Sequence, residues 1–130
     1  MTKTIRQTAV IAGTPRQVYA ALIESKKHTA FTGVSAKIVP KVGGAFSCFD
    51  GYITGTTLHL VPNKLIVQAW RSRGWPAATF SIVTFALAKA AGGKTKLSFS
   101  QLGVPASDVK EKSAGWRSYY WKRLNAYFGK

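Results

Sequence analysis

The order of apolar and polar positions divides the chain into a strand, a helix, a run of short strands and a long closing helix. Residues 3–11 alternate as a strand does when one face is buried. Thr14-Pro15-Arg16-Gln17 then carries a helix start. The threonine can cap, the proline suits the first helical position, and the glutamine can reach back to close a capping box. Val18, Tyr19, Leu22 and Ile23 give this helix an apolar face, and Lys26-Lys27 mark its end, so it is predicted over 14–26. From 34 to 101 the period drops to two. Gly43-Gly44 leads into a strand at 46–49, and Asp50-Gly51 is a hairpin signal. Segments 52–61 and 65–71 alternate on either side of Pro62-Asn63, and 79–88 and 94–101 flank Gly92-Gly93. Gly74-Trp75-Pro76 reads as a loop that presents an indole to solvent.

The last helix is predicted over 107–128, with Ser107 as its cap and Gly129 as its stop. At 3.6 residues per turn, Val109, Trp116, Tyr120, Trp121, Leu124, Tyr127 and Phe128 form one wide apolar stripe. Arg117 projects into that stripe. Its stem either packs at the core's edge with the head wet, or its charge stands at the mouth of a cavity. The pattern predicts an α+β fold, a single domain over 1–130, with an antiparallel sheet curled around the closing helix. Apolar space between sheet and helix would be lined by Phe46, Trp70, Phe85, Trp116, Arg117 and Tyr120, the ligand-cavity candidates.

Composition adds a core and a charge. The chain is 46% hydrophobic and carries 16 aromatics, enough for a core without staples. The single cysteine, Cys48, excludes an internal disulfide. No apolar run approaches the roughly 20 residues of a membrane span, and the first 13 residues lack the apolar block of a secretory signal. A cytoplasmic protein is the expectation. Nineteen Lys and Arg face four acids, for a net charge of +15. Residues 1–30 hold +4 of it, 31–70 hold +2 and 71–130 hold +9. Such a field attracts an acidic protein face, nucleic acid or a membrane surface, or serves solubility alone. The bases are scattered singly through apolar strands rather than massed in an arm, which argues against nucleic acid.

Catalytic and metal chemistry find few groups. His28, placed in a loop after the first helix, and His59, in a strand, have no partner at catalytic or ligand spacing. Asp108 and Glu111 suit the start of a helix better than a carboxylate pair. Ser47 and Cys48 lack the strand-turn-helix setting of a nucleophile elbow. Gly93-Lys94-Thr95 resembles the end of a phosphate loop, but Ala88 stands where its first glycine belongs and a strand follows where a helix is required. No catalytic residue, metal ligand or cofactor is assigned.

Several motifs occur together, in order. Thr14-Pro15-x-x-Val18-Tyr19 and Ala30-Phe31-Thr32 come first, then Val42-Gly43-Gly44-x-Phe46 and Asp50-Gly51-Tyr52-x-x-Gly55. Leu60-Val61-Pro62-x-x-x-Ile66-Val67-x-x-Trp70-Arg71, Trp75-Pro76 and Gly103-Val104-Pro105 follow. Gly115-Trp116-x-x-Tyr119-Tyr120-Trp121 closes the set. Over nearly the whole chain this resembles the C-terminal type of domain found in the activator of the heat-shock-protein-90 ATPase, within the START-like SRPBCC superfamily. The resemblance implies a helix-grip fold, a hydrophobic cavity in many relatives, and no shared catalytic group or metal. In the eukaryotic co-chaperone it also implies docking on the chaperone; there a separate N-terminal domain carries a basic activating motif, and these residues contain no counterpart of it.

Three functions follow as expectations. The first is docking on a chaperone of the heat-shock-protein-90 class through Arg71, Arg73, Trp75, Lys110, Lys112, Lys122 and Arg123. The second is carrying or sensing a small apolar ligand in the cavity. The third, a cyclase or hydratase, is the weakest, because no acid and base are paired.

Overall fold

The computed structural model describes residues 1–129. Seven antiparallel strands form one sheet: β1 (Thr2–Ile11), β2 (Lys37–Ile38), β3 (Ala45–Cys48), β4 (Ile53–Val61), β5 (Leu65–Ser72), β6 (Ser81–Ala90) and β7 (Lys94–Pro105). Their order across the sheet is β1-β7-β6-β5-β4-β3-β2. From β2 onward each strand pairs with the next in sequence, and β1 closes the far edge against β7. Inward positions alternate as the sequence predicts: Ile66, Gln68, Trp70 and Ser72 of β5 are buried, as are Val83, Phe85 and Leu87 of β6. The closing helix lies on that inner face, so the expected α+β helix-grip arrangement is present.

The capping box at Thr14 forms in both directions: its hydroxyl accepts the Gln17 N–H at 3.2 Å, and the Gln17 side chain accepts the Thr14 N–H at 2.9 Å. The helix it starts, α1 (Pro15–Ile23), is shorter than predicted. Glu24 is extended, and a second helix, α2 (Ser25–Thr32), follows the break. Ser25 is held by a tertiary contact, its hydroxyl accepting the Ile38 N–H at 2.7 Å. Gly33 ends α2 in the left-handed conformation, φ 78°. His28, expected in a loop, is therefore a helical residue.

The closing helix differs from the expectation in two ways. Ser107 does not cap it: residues Ala106–Asp108 form a 3₁₀ turn, and no side chain bonds the first helical N–H groups. It is also not uniform, since α3 (Val109–Gly115) and α4 (Lys122–Phe128) are joined by a π-helical segment, Trp116–Trp121. On a regular α-helix Trp116 and Trp121 would point about 140° apart. The wider i→i+5 turn brings them together, stacked at 5.8 Å with 20° between planes. Both rings then meet Phe99 of β7, at 4.3 and 5.3 Å. The helix is pinned to β1 by polar contacts as well. Asn125 accepts the Ala12 N–H and donates to the Val10 carbonyl, and Gln7 accepts the Trp121 indole N–H at 2.7 Å.

Gly55 of β4 has no room for a side chain. It faces Phe46 in register, and a Cβ would overlap the Ala69 carbonyl oxygen and the Phe46 ring. Gly55→Ala is expected to destabilise by about 1–3 kcal/mol through overpacking, measured by urea denaturation. An unchanged midpoint would show that β4 and β5 can separate at no cost.

Candidate functional site

A cavity of about 460 Å³ opens between the closing helix and strands β4 and β5. The helix contributes Glu111, Lys112, Gly115, Trp116, Tyr119 and Tyr120; the strands contribute Ile53 and Trp70; loops contribute Val34, Phe49 and Tyr52. Of the six cavity candidates, Trp70, Trp116 and Tyr120 line it. Phe46 is spent covering Gly55. Phe85 is core, packed among Phe99, Trp116 and Trp121 at 5.6–6.4 Å. Arg117 is exposed and outside the lining, so its charge is not placed at the cavity.

Eight lining residues were not among the cavity candidates, and three of them are aromatic. Phe49 and Asp50 adopt left-handed φ values, 53° and 55°, and this turn places Phe49 5.9 Å from Tyr120. Tyr52 and Tyr119, 38% and 47% exposed, also line the cavity and are its wettest aromatics. The run Tyr119-Tyr120-Trp121 held a signal for this, because three consecutive aromatics cannot share one narrow α-helical face.

Behind Tyr120 lies a buried polar cluster. His28, 2% exposed, sits with Nε2 2.9 Å from the Tyr120 hydroxyl and 3.8 Å from Cys48 Sγ. Its Nδ1 has no hydrogen-bond partner among the described residues. Burial lowers the His28 pKa to about 4 and pushes the Cys48 thiol up to about 12. Tyr120 is also raised, by burial first and then by Cys48. All three groups are therefore neutral at pH 7. A thiol with so high a pKa is a poor nucleophile, and a histidine at 4 is a weak base.

The predicted partner-binding residues divide. Arg71 lies along the 73–80 loop, donating to the carbonyls of Trp75 at 2.8 Å, Thr79 at 3.2 Å and Pro76. Trp75, expected at the surface, is 7% exposed; it packs 5.6 Å from Trp70, and its indole N–H donates to Asp108 at 2.7 Å. Asp108 also pairs with Lys112 at 2.9 Å, so this carboxylate ties the loop to the helix, and Lys112 is only 8% exposed. Arg123 donates to the Thr32 carbonyl at the end of α2 and stands 4.7 Å over the Tyr119 ring. Arg73, Lys110 and Lys122 remain exposed. Four of the seven residues are thus wholly or partly committed to the fold.

Comparison with known proteins agrees with this fold. A family model described as "Activator of Hsp90 ATPase homolog 1-like protein" matches residues 12–129. The human activator of 90 kDa heat shock protein ATPase homolog 1 is 30% identical over 126 residues, which cover 97% of this chain and 36% of that protein. The chain thus spans about a third of that relative's length. Among solved structures, an HSP90 activator from Plasmodium falciparum has a TM-score of 0.91 at 24% identity, covering 97% of this chain and 96% of that one. The Aha1 dimer from Colwellia psychrerythraea has a TM-score of 0.80 at 16% identity, covering 95% of each chain. With the family model matched over 12–129, the chain belongs to the activator of Hsp90 ATPase homolog 1-like family.

Proposed function

We propose that this domain binds rather than catalyses, and that it docks on a chaperone of the heat-shock-protein-90 class through cations on the outer flank of its closing helix. The observation that carries the reading is the alignment of Lys110, Arg117 and Lys122, all exposed. Lys110 and Arg117 are seven residues apart, two helical turns. Lys122 comes beneath Arg117 because the π turn bonds its N–H to the Arg117 carbonyl. This row spans about 18 Å. The names of the relatives supply the partner class, and the excess of 15 positive charges supplies long-range attraction to an acidic face. A cytoplasmic setting is part of the proposal.

The test reverses Lys110, Arg117 and Lys122 to Glu together and measures binding to a chaperone dimer at low and at physiological salt. Affinity should fall at least about tenfold, and the wild-type affinity should itself weaken with salt as charges more than about 8 Å apart are screened. A charge-matched control reverses Lys89, Lys94 and Lys96, exposed residues of the β6–β7 hairpin region. Equal losses in both variants would reduce the effect to net charge. No loss in either would remove the docking face.

A second reading has its own observation, the aromatic cavity of about 460 Å³, a size that suits a small apolar ligand. In that reading the domain is a carrier or sensor.

A further inference from the structure

Gly115 has no structural reason to be glycine. It lies inside the closing helix with φ −61° and ψ −42°, a conformation every residue adopts. Glycine there is less favourable than alanine, because its backbone loses more freedom on folding. Other glycines are explained by φ or by crowding: Gly33 has φ 78°, and a Cβ on Gly44 or Gly55 would strike backbone oxygens. A Cβ on Gly115 would meet only the Tyr119 ring at 3.8 Å, an ordinary contact. What a larger side chain would occupy is the cavity that Gly115 lines.

The rest of the lining says what the space suits. Trp116 lies 5.5 Å from Trp70 and 4.5 Å from Tyr120, while Phe49 lies 5.8 Å from Tyr119 and 5.9 Å from Tyr120. Aromatic ring pairs at these spacings favour offset or edge-to-face contact, which a planar guest can join. The charged lining residues are one cation, Lys112, already held by Asp108, and one anion, Glu111. A net-charged guest gains little from such a balanced pair.

We propose that the cavity takes a flat, uncharged aromatic molecule of about two or three fused rings, seated against the bare backbone of Gly115. This rests on the ligand-carrying reading and deepens it by naming the ligand class and the residue that sets the fit.

The probe is N-phenyl-1-naphthylamine, neutral and fluorescent in apolar sites, which avoids the attraction of anionic dyes to a chain of net charge +15. Wild type should bind it with quenching of tryptophan emission, through Trp70 and Trp116. Gly115→Leu should weaken binding at least about tenfold while melting at or above the wild-type temperature, and Gly115→Ala should fall between. Val34→Phe, filling from a loop residue of the lining, is the second variant should Gly115→Leu not fold, and is expected to weaken binding likewise. Absence of probe binding to wild type would sink the ligand-carrying reading itself. Binding to wild type that stays within about twofold in the Gly115 and Val34 variants would leave a hydrophobic site elsewhere and overturn the role of Gly115. Tighter binding of 1-naphthoate than of 2-naphthol would overturn the uncharged class.

Discussion

Trp116→Ala should cost about 3–5 kcal/mol, toward the upper end, and bring the protein close to its unfolding threshold. The residue is 3% exposed and is the hub of the aromatic core, with Phe99, Tyr120, Trp70, Phe85 and Trp121 all within 4.3–5.8 Å. Truncation leaves a void that five rings and a π turn cannot easily collapse to fill. It also breaks a buried chain of hydrogen bonds. The Trp116 indole donates to Gln101 at 2.8 Å, Gln101 donates to Ser81 at 3.0 Å, and Ser81 donates to the Trp70 carbonyl at 3.0 Å. Gln101 is fully buried, so its oxygen would be orphaned. Trp116→Phe separates the two effects, because it keeps a ring but removes the donor, and about 1–3 kcal/mol is expected from that alone. Urea denaturation of both variants gives the comparison. A loss below about 1 kcal/mol for Trp116→Ala would mean that the indole is not part of the cooperative core.

The strands were legible in the sequence because their signal is local. Alternation at period two and turns such as Pro62-Asn63 and Gly92-Gly93 place β4 to β7 within a few residues, although β7 runs on to Pro105. The capping box at Thr14 was legible for the same reason. What local pattern could not show was geometry set by distant partners. The break at Glu24 depends on Ser25 reaching Ile38, and the π turn depends on Trp116 and Trp121 both finding Phe99. The stop at Gly33 was present in the sequence but hidden behind Lys26-Lys27, which look like a helix end on their own.

The site was only half legible, for a related reason. Aromatic count pointed to Trp70, Trp116 and Tyr120, but the division between solid core and open cavity is a matter of a few ångströms. Phe85 falls on one side of it and Phe49 on the other. Charge was more misleading. Counting bases cannot distinguish a free cation from one bonded to backbone carbonyls, as Arg71 and Arg123 are, or to a carboxylate, as Lys112 is. The outward row of Lys110, Arg117 and Lys122 becomes visible only when the π turn is known.

Acidification should destabilise the fold by about 3 kcal/mol between pH 6.5 and pH 4, with His28 as the cause. Its pKa falls from 6.5 in the unfolded chain to about 4 in the folded one, because burial penalises the imidazolium. The unfolded state therefore binds the proton first. Stability is retained above pH 6.5, declines as the pH drops through this window, and loses no more from this group below about pH 4. A shift of this size corresponds to about 3 kcal/mol. Neighbouring groups do not confuse the reading. Cys48 on β3 and Tyr120 on the closing helix have raised pKa values and stay neutral throughout, and Phe31 and Phe49 carry no charge. The chain has four carboxylates, so acid unfolding by loss of carboxylate pairs has few contributors, and His59 is exposed. Urea midpoints measured from pH 7.5 to pH 4 should fall for wild type and stay nearly level for His28→Gln, which keeps a hydrogen-bonding amide beside Tyr120. His28→Phe, neutral at every pH, guards against a glutamine that does not pack. A wild-type profile flat over this range, or the same slope in both variants, would show that His28 is not the group that limits stability in acid.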